Sequence, residues 1–191
     1  MNKLKKVKII VAVLLIICLF FSYGIMYYNV NTLYPQNSKT IYDFGETFVT
    51  QNAEVTITDS ILLKKENIES DAELLVFLKD NTDYLLETEL NLALVQVVIN
   101  NPTKEAIIVD LTAFHLESGS FSSQFYYPLM KYYNDCGMYI ELEEGEEKEL
   151  TVPIPISSVL FLNYSIEKIE NRSYYLVCTL YPEKIMAEVK F

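Results

Sequence analysis

Tryptophan is missing from this chain, histidine occurs once and cysteine three times. Each scarcity removes a class of chemistry. With His115 alone there is no pair of imidazoles for a metal site, and Ser-His-Asp catalysis would hang on that single residue. No G-x-S-x-G elbow, Walker loop or D-x-D-x-D-G calcium loop is present. Three cysteines make a poor disulfide framework. Cys18 lies in an apolar run, which leaves Cys136 and Cys178 either to pair outside the cell or to remain as thiols in a loop and a strand core. Internal repeats and low-complexity segments are lacking as well. Fifteen Tyr and ten Phe supply the aromatic surface that Trp does not, which suits a β-rich protein.

Charge is absent over one long stretch. Residues 9–28 read IIVAVLLIICLFFSYGIMYY, without an ionisable Asp, Glu, Lys or Arg. At ~1.5 Å per residue such a helix is roughly 30 Å long, the thickness of a bilayer's hydrocarbon core. Lys3, Lys5, Lys6 and Lys8 precede it, and the next basic residue is Lys39. That asymmetry predicts a cytoplasmic basic tail at 1–8, a transmembrane signal anchor at 9–28 and everything later on the outside. Tyr27 and Tyr28 stand where an interfacial aromatic belt would lie. A cleavable signal peptide is the alternative. Ile9–Phe21 would be its apolar region, and Ser22-Tyr23-Gly24 would allow a cut near Gly24 that releases a secreted product. Apolar sequence continuing to Tyr28 favours the anchor. Ile16-Ile17 stand where a bacterial lipobox has small residues, so Cys18 does not suit lipidation.

Beyond residue 28 the chain has 11 basic residues, the 15 of the whole less the four N-terminal lysines, against all 26 acidic ones, so this part carries −15. Such a balance excludes nucleic acid, anionic headgroups and polyanionic wall polymers as primary partners. Residues 29–43 are polar, contain Pro35 and read as a linker. Residues 44–191 then suffice for one domain with a true core.

Within that domain, period two dominates. Ala53, Val55, Ile57, Ile61 and Leu63 alternate with polar residues, with Asp59 marking a bulge or twist. Ser70-Asp71-Ala72-Glu73 has the form of a capping box and predicts a short helix over 71–79. Leu90–Asn100 is apolar on both faces, as a central strand is. Ala106–Leu116 reads as its returning strand, and 121–134 as an irregular aromatic segment. Met138–Leu142 and Lys148–Ile156 flank Glu143-Glu144-Gly145-Glu146, read as a hairpin turn. Pro153 and Pro155 remove two amide donors from the same side of their strand, which places it at a sheet edge. A turn of helix plus loop is expected over 157–169. Tyr174–Tyr181 and Ile185–Phe191 close the chain as paired strands. About eight strands, few helical residues and turn signals every ten or so residues describe an all-β antiparallel two-sheet sandwich with one inserted helix.

Four pieces carry a family resemblance: Phe44-Gly45-Glu46-Thr47, Val95-Gln96-Val97-Val98-Ile99-Asn100-Asn101, Leu142-Glu143-Glu144-Gly145-Glu146 and Tyr181-Pro182-Glu183-Lys184. In this order and spacing, over residues 44–191, the chain resembles exported immunoglobulin-like domains of unknown function from low-GC Gram-positive bacteria, many of them anchored or lipidated. The resemblance implies an immunoglobulin-like fold and an envelope location, with no catalytic residue to carry over. The lipid-accepting cysteine of the lipoprotein members is lacking here. In a bacterial chain the sequons at Asn163 and Asn171 are chance matches.

Three groups could carry chemistry. His115 lies inside a strand and reads as structural. Glu141, Glu143, Glu144, Glu146 and Glu147 could gather oxygens for Ca²⁺, yet Gly145 in a short solvated turn accounts for them without metal. Phe121, Phe125, Tyr126, Tyr127, Tyr132, Tyr133 and Tyr139 form the best binding candidate, since Tyr pairs an apolar face with a polar handle suited to sugars and peptides. The expectation is a non-catalytic, outward-facing membrane-anchored interaction module of the bacterial cell envelope. It would need no cofactor and would engage another envelope protein, itself or a glycan. A carbohydrate- or peptide-binding domain using the Tyr-rich 121–139 segment is the alternative.

Overall fold

A strand apolar on both faces needs a cover on each side, and the chain supplies both. The computed structural model describes residues 3–33, 38–81, 90–134, 136–157 and 171–191. Its helices are α1 (Lys3–Leu33), α2 (Lys65–Ser70), α3 (Ala72–Asn81) and α4 (Tyr127–Asn134). Its strands are β1 (Lys39–Tyr42), β2 (Thr47–Thr50), β3 (Ala53–Leu63), β4 (Leu90–Asn100), β5 (Ile107–Asp110), β6 (His115–Ser118), β7 (Phe121–Gln124), β8 (Tyr139–Leu142), β9 (Glu147–Ser157), β10 (Tyr174–Thr179) and β11 (Lys184–Val189). They form a five-stranded sheet β1-β11-β10-β6-β7, a four-stranded sheet β2-β3-β4-β9 and a two-stranded ladder β5-β8. The domain is a β-sandwich with few helices, preceded by one apolar helix. Ala93, Val95, Val97 and Ile99 of β4 point into the core with Leu116 and Leu176 of the other sheet. Leu90 and Leu92 point the opposite way and meet Ile68, Leu74, Leu78 and Leu129 of the helices. The inserted helices are therefore a lid on the outer face of the four-stranded sheet, which is why β4 shows no alternation there.

Residues 1–38 and 39–191 are separate units. In the first, α1 runs past the expected end at Tyr28 to Leu33, and Val11–Leu33 is long and apolar enough to cross a membrane. Asn31 and Thr32 keep their polar atoms inside the helix by donating to the carbonyls of Tyr27 and Tyr28, each at 2.8 Å. The linker expected over 29–43 is thus shorter at both ends. Lys39–Tyr42 is a strand paired in parallel with β11, Lys39 opposite Lys184.

Where the structure departs from simple alternation, local hydrogen bonds explain it. The β3–β4 register shifts between Ile57 and Asp59. One extra residue reverses the faces, so Ile61 turns outward at 46% exposure while Leu62 packs against the core. The helix cap is Asp71 rather than Ser70: its Oδ1 accepts from the amides of Glu73 and Leu74 at 3.1 and 3.0 Å. The expected strand 106–116 is broken in two. Asp110 Oδ1 accepts from the amide and hydroxyl of Thr112, at 2.8 and 2.6 Å, and folds Leu111–Ala113 into a 3-10 turn. β5 on one side of that turn pairs with β8, and β6 on the other pairs with β10 and β7. Neither half pairs with β4, so the segment does not return along it.

The Glu143–Glu146 turn is likewise not a hairpin. Gly145 takes the left-handed φ of 68° that the turn requires, but β8 belongs to the two-stranded ladder and β9 to the four-stranded sheet. The chain changes sheets here, as it does between β4 and β5. Asn101 holds both crossings. Fully buried, its Nδ2 donates to the carbonyls of Glu105, Leu142 and Glu143 at 2.8, 3.0 and 2.9 Å. Its Oδ1 accepts from the Thr103 amide and hydroxyl at 2.9 and 2.7 Å.

β9 is an edge strand, as its prolines require, but the edge is covered. Thr151, Pro153 and Pro155 turn their outer carbonyls toward 123–134. Asn134 Nδ2 donates to the Thr151 carbonyl, and Asn134 Oδ1 accepts the Thr151 amide, both at 2.7 Å. The Tyr126 amide donates to Pro153 O at 3.0 Å, and the Ser123 hydroxyl to Pro155 O at 2.6 Å. Proline fits where the covering segment offers donors, while Thr151, which has an N–H, meets the one side chain that both donates and accepts. Asn134→Ala leaves a half-buried donor and acceptor unmet, a loss of about 2 kcal/mol. For a chain of this size that lowers the melting temperature by about 4–8 °C, whereas Tyr127→Ala, on the same helix and exposed, leaves it within about 2 °C. Equal melts for Asn134→Ala and wild type in detergent would remove the clamp from the account.

Candidate functional site

The seven aromatic residues of 121–139 do not converge on one surface. β7 alternates inward and outward, so Phe121 is 5% exposed and sits in the main core, with Phe125 packed beside it. α4 starts at Tyr127 with Pro128 in its first turn, where a missing N–H costs nothing. Its buried residues Leu129 and Met130 face different clusters, the former the helical lid and the latter the core. Tyr126, Tyr132 and Tyr133 pack on the lid. Tyr126 donates its hydroxyl to Asn81 O at 2.9 Å, and the Tyr132 ring lies 4.6 Å from that of Phe77 and edge-on to Tyr133 at 5.1 Å. Burial, then the Glu73 and Asp71 carboxylates, raise the Tyr132 phenol. Burial with Tyr132 and Asp71 pushes Tyr133 up to about 12, so both stay neutral donors. Tyr127 and Tyr139 remain exposed, at 41% and 61%.

Tyr139 belongs to a different surface, the outer face of the β5-β8 ladder. Asp110 is opposite Tyr139 and Ile108 opposite Glu141, which makes Ile108 and Tyr139 diagonal neighbours on one face. Ile108 is 65% exposed. It also lines a surface cleft of about 630 Å³ between Thr103–Ile108 and the Gln51-Asn52 turn. That turn joins β2 to β3 with φ of 51° and 64°, the left-handed pair a two-residue hairpin needs. Glutamine is an unusual choice for it. Its side chain supplies a reason: Gln51 Nε2 donates to Asp110 O at 2.9 Å and Oε1 accepts the Asp110 amide at 2.7 Å, docking the hairpin on β5. Ile108 carries no signal of its own in the sequence, because its outward position is set only when β5 pairs with β8.

His115 is satisfied by its own strand and the 3-10 turn before it. Its Nδ1 lies 2.7 Å from Ala113 O and its Nε2 3.0 Å from Glu117 Oε1. Lys184 Nζ reaches the same carboxylate at 2.7 and 2.6 Å. No nucleophile lies in this network, which ties β6 to β11 across β10. Nothing in sequence joins Glu117 to Lys184, 67 residues away. The acidic turn is solvated: Glu143, Glu144 and Glu146 are exposed, and Glu146 Oε2 accepts the Glu143 amide at 2.8 Å. Among the described residues no three His, Cys, Asp or Glu side chains gather as a metal site. No disulfide joins Cys136 to Cys178, and complete burial raises the Cys178 thiol far above its ordinary value. The expected segment 157–169 and Asn163 fall outside the described residues beyond Ser157.

Glu117 sets a pH dependence. Desolvation raises its pKa, but hydrogen bonds and charge from Lys184 and His115 outweigh it and hold it below the ordinary 4.5. A carboxylate depressed on folding stabilises above its unfolded value and loses that contribution as pH falls through its folded one. Stability of the wild type should therefore fall more steeply below pH 4.5 than that of Glu117→Gln. Parallel melting curves for the two between pH 5 and about 2.5 would contradict the network.

No curated protein matches the sequence. Among the solved structures similar to it are three bacterial proteins. The ycdA protein of Bacillus subtilis, described as a candidate lipoprotein, has a TM-score of 0.48 and 15% identity over 75% of this chain. The chain spans 38% of the length of that protein. An uncharacterised β-sandwich protein of Clostridium difficile has a TM-score of 0.42 and 15% identity, covering 81% of this chain and 98% of its own. The yjhA protein of Bacillus subtilis has a TM-score of 0.42 and 12% identity, covering 78% and 99%. Residues 34–185 match the profile of a family described as a domain of unknown function, DUF5028, and the chain belongs to that family.

Proposed function

We propose that this chain is an outward-facing, membrane-anchored interaction module of the bacterial cell envelope, built on an immunoglobulin-like domain and without catalytic activity. The observation that carries the reading is the exposed face of the β5-β8 ladder. Ile108 and Tyr139, at 65% and 61% exposure, are diagonal neighbours on paired strands, and Ile108 borders the cleft next to them. An apolar pair held on a ladder and open to solvent is the kind of patch that marks a partner site. The partner that fits is another envelope protein or a second copy of the domain. Lys3, Lys5, Lys6 and Lys8 ahead of the apolar run and the apolar length of Val11–Leu33 support an anchor with the domain outside. The carbohydrate- or peptide-binding alternative asks for the seven aromatics on one surface, and five of them pack inward.

A photoreactive residue placed at position 108 of the full chain, irradiated in intact cells, tests this. The expected result is a discrete adduct in the carbonate-washed membrane fraction, with none from the same residue at Val49, which is 59% exposed on β2. Equal labelling from both positions, or no adduct from position 108, would overturn the partner site. Recovery of a soluble chain beginning at Ile25 would replace the anchor by a cleaved signal peptide.

A further inference from the structure

The turn between β10 and β11 carries two large side chains outside both apolar clusters. Leu180 is 50% exposed and Tyr181 78%. Their position follows from the β1–β11 pairing. That pair is parallel and begins with Lys39 opposite Lys184, so both strands start at the same end of the sheet. The turn leading into β11 therefore lies beside the point at which the chain enters β1. Lys39 comes six residues after Leu33, the last residue of the apolar helix. Six residues extend at most ~22 Å.

Charge at this tip is already matched. Lys184 holds the Glu117 carboxylate at 2.6 Å, Glu183 accepts from the Thr40 hydroxyl, and the Lys39 ammonium lies 5.9 Å from the Tyr175 ring centroid. Among the described residues no unbalanced positive patch remains at this tip to seek anionic headgroups, and the −15 carried beyond residue 28 opposes them. What the tip offers is a leucine and a tyrosine. That pairing suits the lipid–water boundary, where a tyrosine ring meets acyl-chain ends and its hydroxyl stays among headgroups.

We propose that the Leu180–Tyr181 tip rests in the interfacial zone of the same bilayer that holds the N-terminal helix, giving the domain a second, uncharged contact with the membrane. This rests on the anchored reading above.

The absence of tryptophan makes the test direct, because any introduced tryptophan is the sole emitter of its kind. Three single variants of the full chain are reconstituted in phosphatidylcholine vesicles: Tyr181→Trp at the tip, Phe20→Trp in the apolar helix, and Asp43→Trp, exposed at the far end of β1. Each is read by emission maximum, by acrylamide quenching and by quenching from lipids brominated near the headgroup end of the acyl chain. The proposal expects a blue shift, weak acrylamide quenching and strong bromolipid quenching for Tyr181→Trp, unchanged by added salt. Phe20→Trp should be shielded from acrylamide, and Asp43→Trp should behave as solvated. If Phe20→Trp is shielded but Tyr181→Trp behaves like Asp43→Trp, the tip contact is wrong while the anchor stands. Bromolipid quenching of Asp43→Trp equal to that of Tyr181→Trp also overturns it. If Phe20→Trp is itself open to acrylamide, the anchored reading falls and takes the tip with it.

Discussion

One buried amide holds the sandwich's crossings together. The chain leaves the four-stranded sheet after β4 and rejoins it at β9, and both passages go by way of the β5-β8 ladder. At those points two connections run side by side with carbonyls that no ladder can satisfy. Asn101 faces three of them with Nδ2 and turns Oδ1 to Thr103, while its own amide donates to Glu146 O at 2.9 Å and its carbonyl accepts from Gly145 N at 3.1 Å. A side-chain amide is short, neutral and able to donate and accept at once. Aspartate would put a charge against three carbonyls, and serine would offer one donor where three acceptors wait. Buried polar groups left unmet are expensive, so the register of both crossings depends on this residue.

The covered edge of β9 uses the same device. Asn134 does for Thr151 what Asn101 does for the crossings, and Gln51 does it for Asp110. Each is a side-chain amide standing in for a missing strand partner. Together they let the sandwich switch sheets and cover the β9 edge, while the outer face of β5-β8 carries the exposed Ile108 and Tyr139.

Much of this was legible in the residues. Period two in 53–57, 139–142 and 147–156 reflects one buried face, and a strand apolar on both faces does lie between two layers. The prolines at 153 and 155 mark an edge because a missing N–H is a local fact. What escaped was set by contacts distant in sequence or by a single turn. Asp59 signalled the bulge, but not that Ile61 would then face solvent. Asp110 and Thr112 break the 106–116 run through side-chain bonds that hydrophobic pattern does not record. The aromatic residues of 121–139 looked like one surface because they are close in sequence. A strand followed by a helix sends them to the core, the lid and the solvent in turn. The Glu117–Lys184 pair and the exposed Ile108–Tyr139 pair exist only once the sheets are assembled.

Thermal unfolding of the full chain in detergent, with Asn101→Ala and Asn101→Asp beside wild type, tests the dependence on that amide most directly. Loss of several buried hydrogen bonds, each worth about 1–3 kcal/mol when one partner is left behind, should lower the melting temperature by roughly 10 °C or more in Asn101→Ala. Asn101→Asp should be lower still, because it adds a buried charge facing carbonyl oxygens. A melt for Asn101→Ala within about 2 °C of wild type, or an Asn101→Asp chain more stable than Asn101→Ala, would contradict the account.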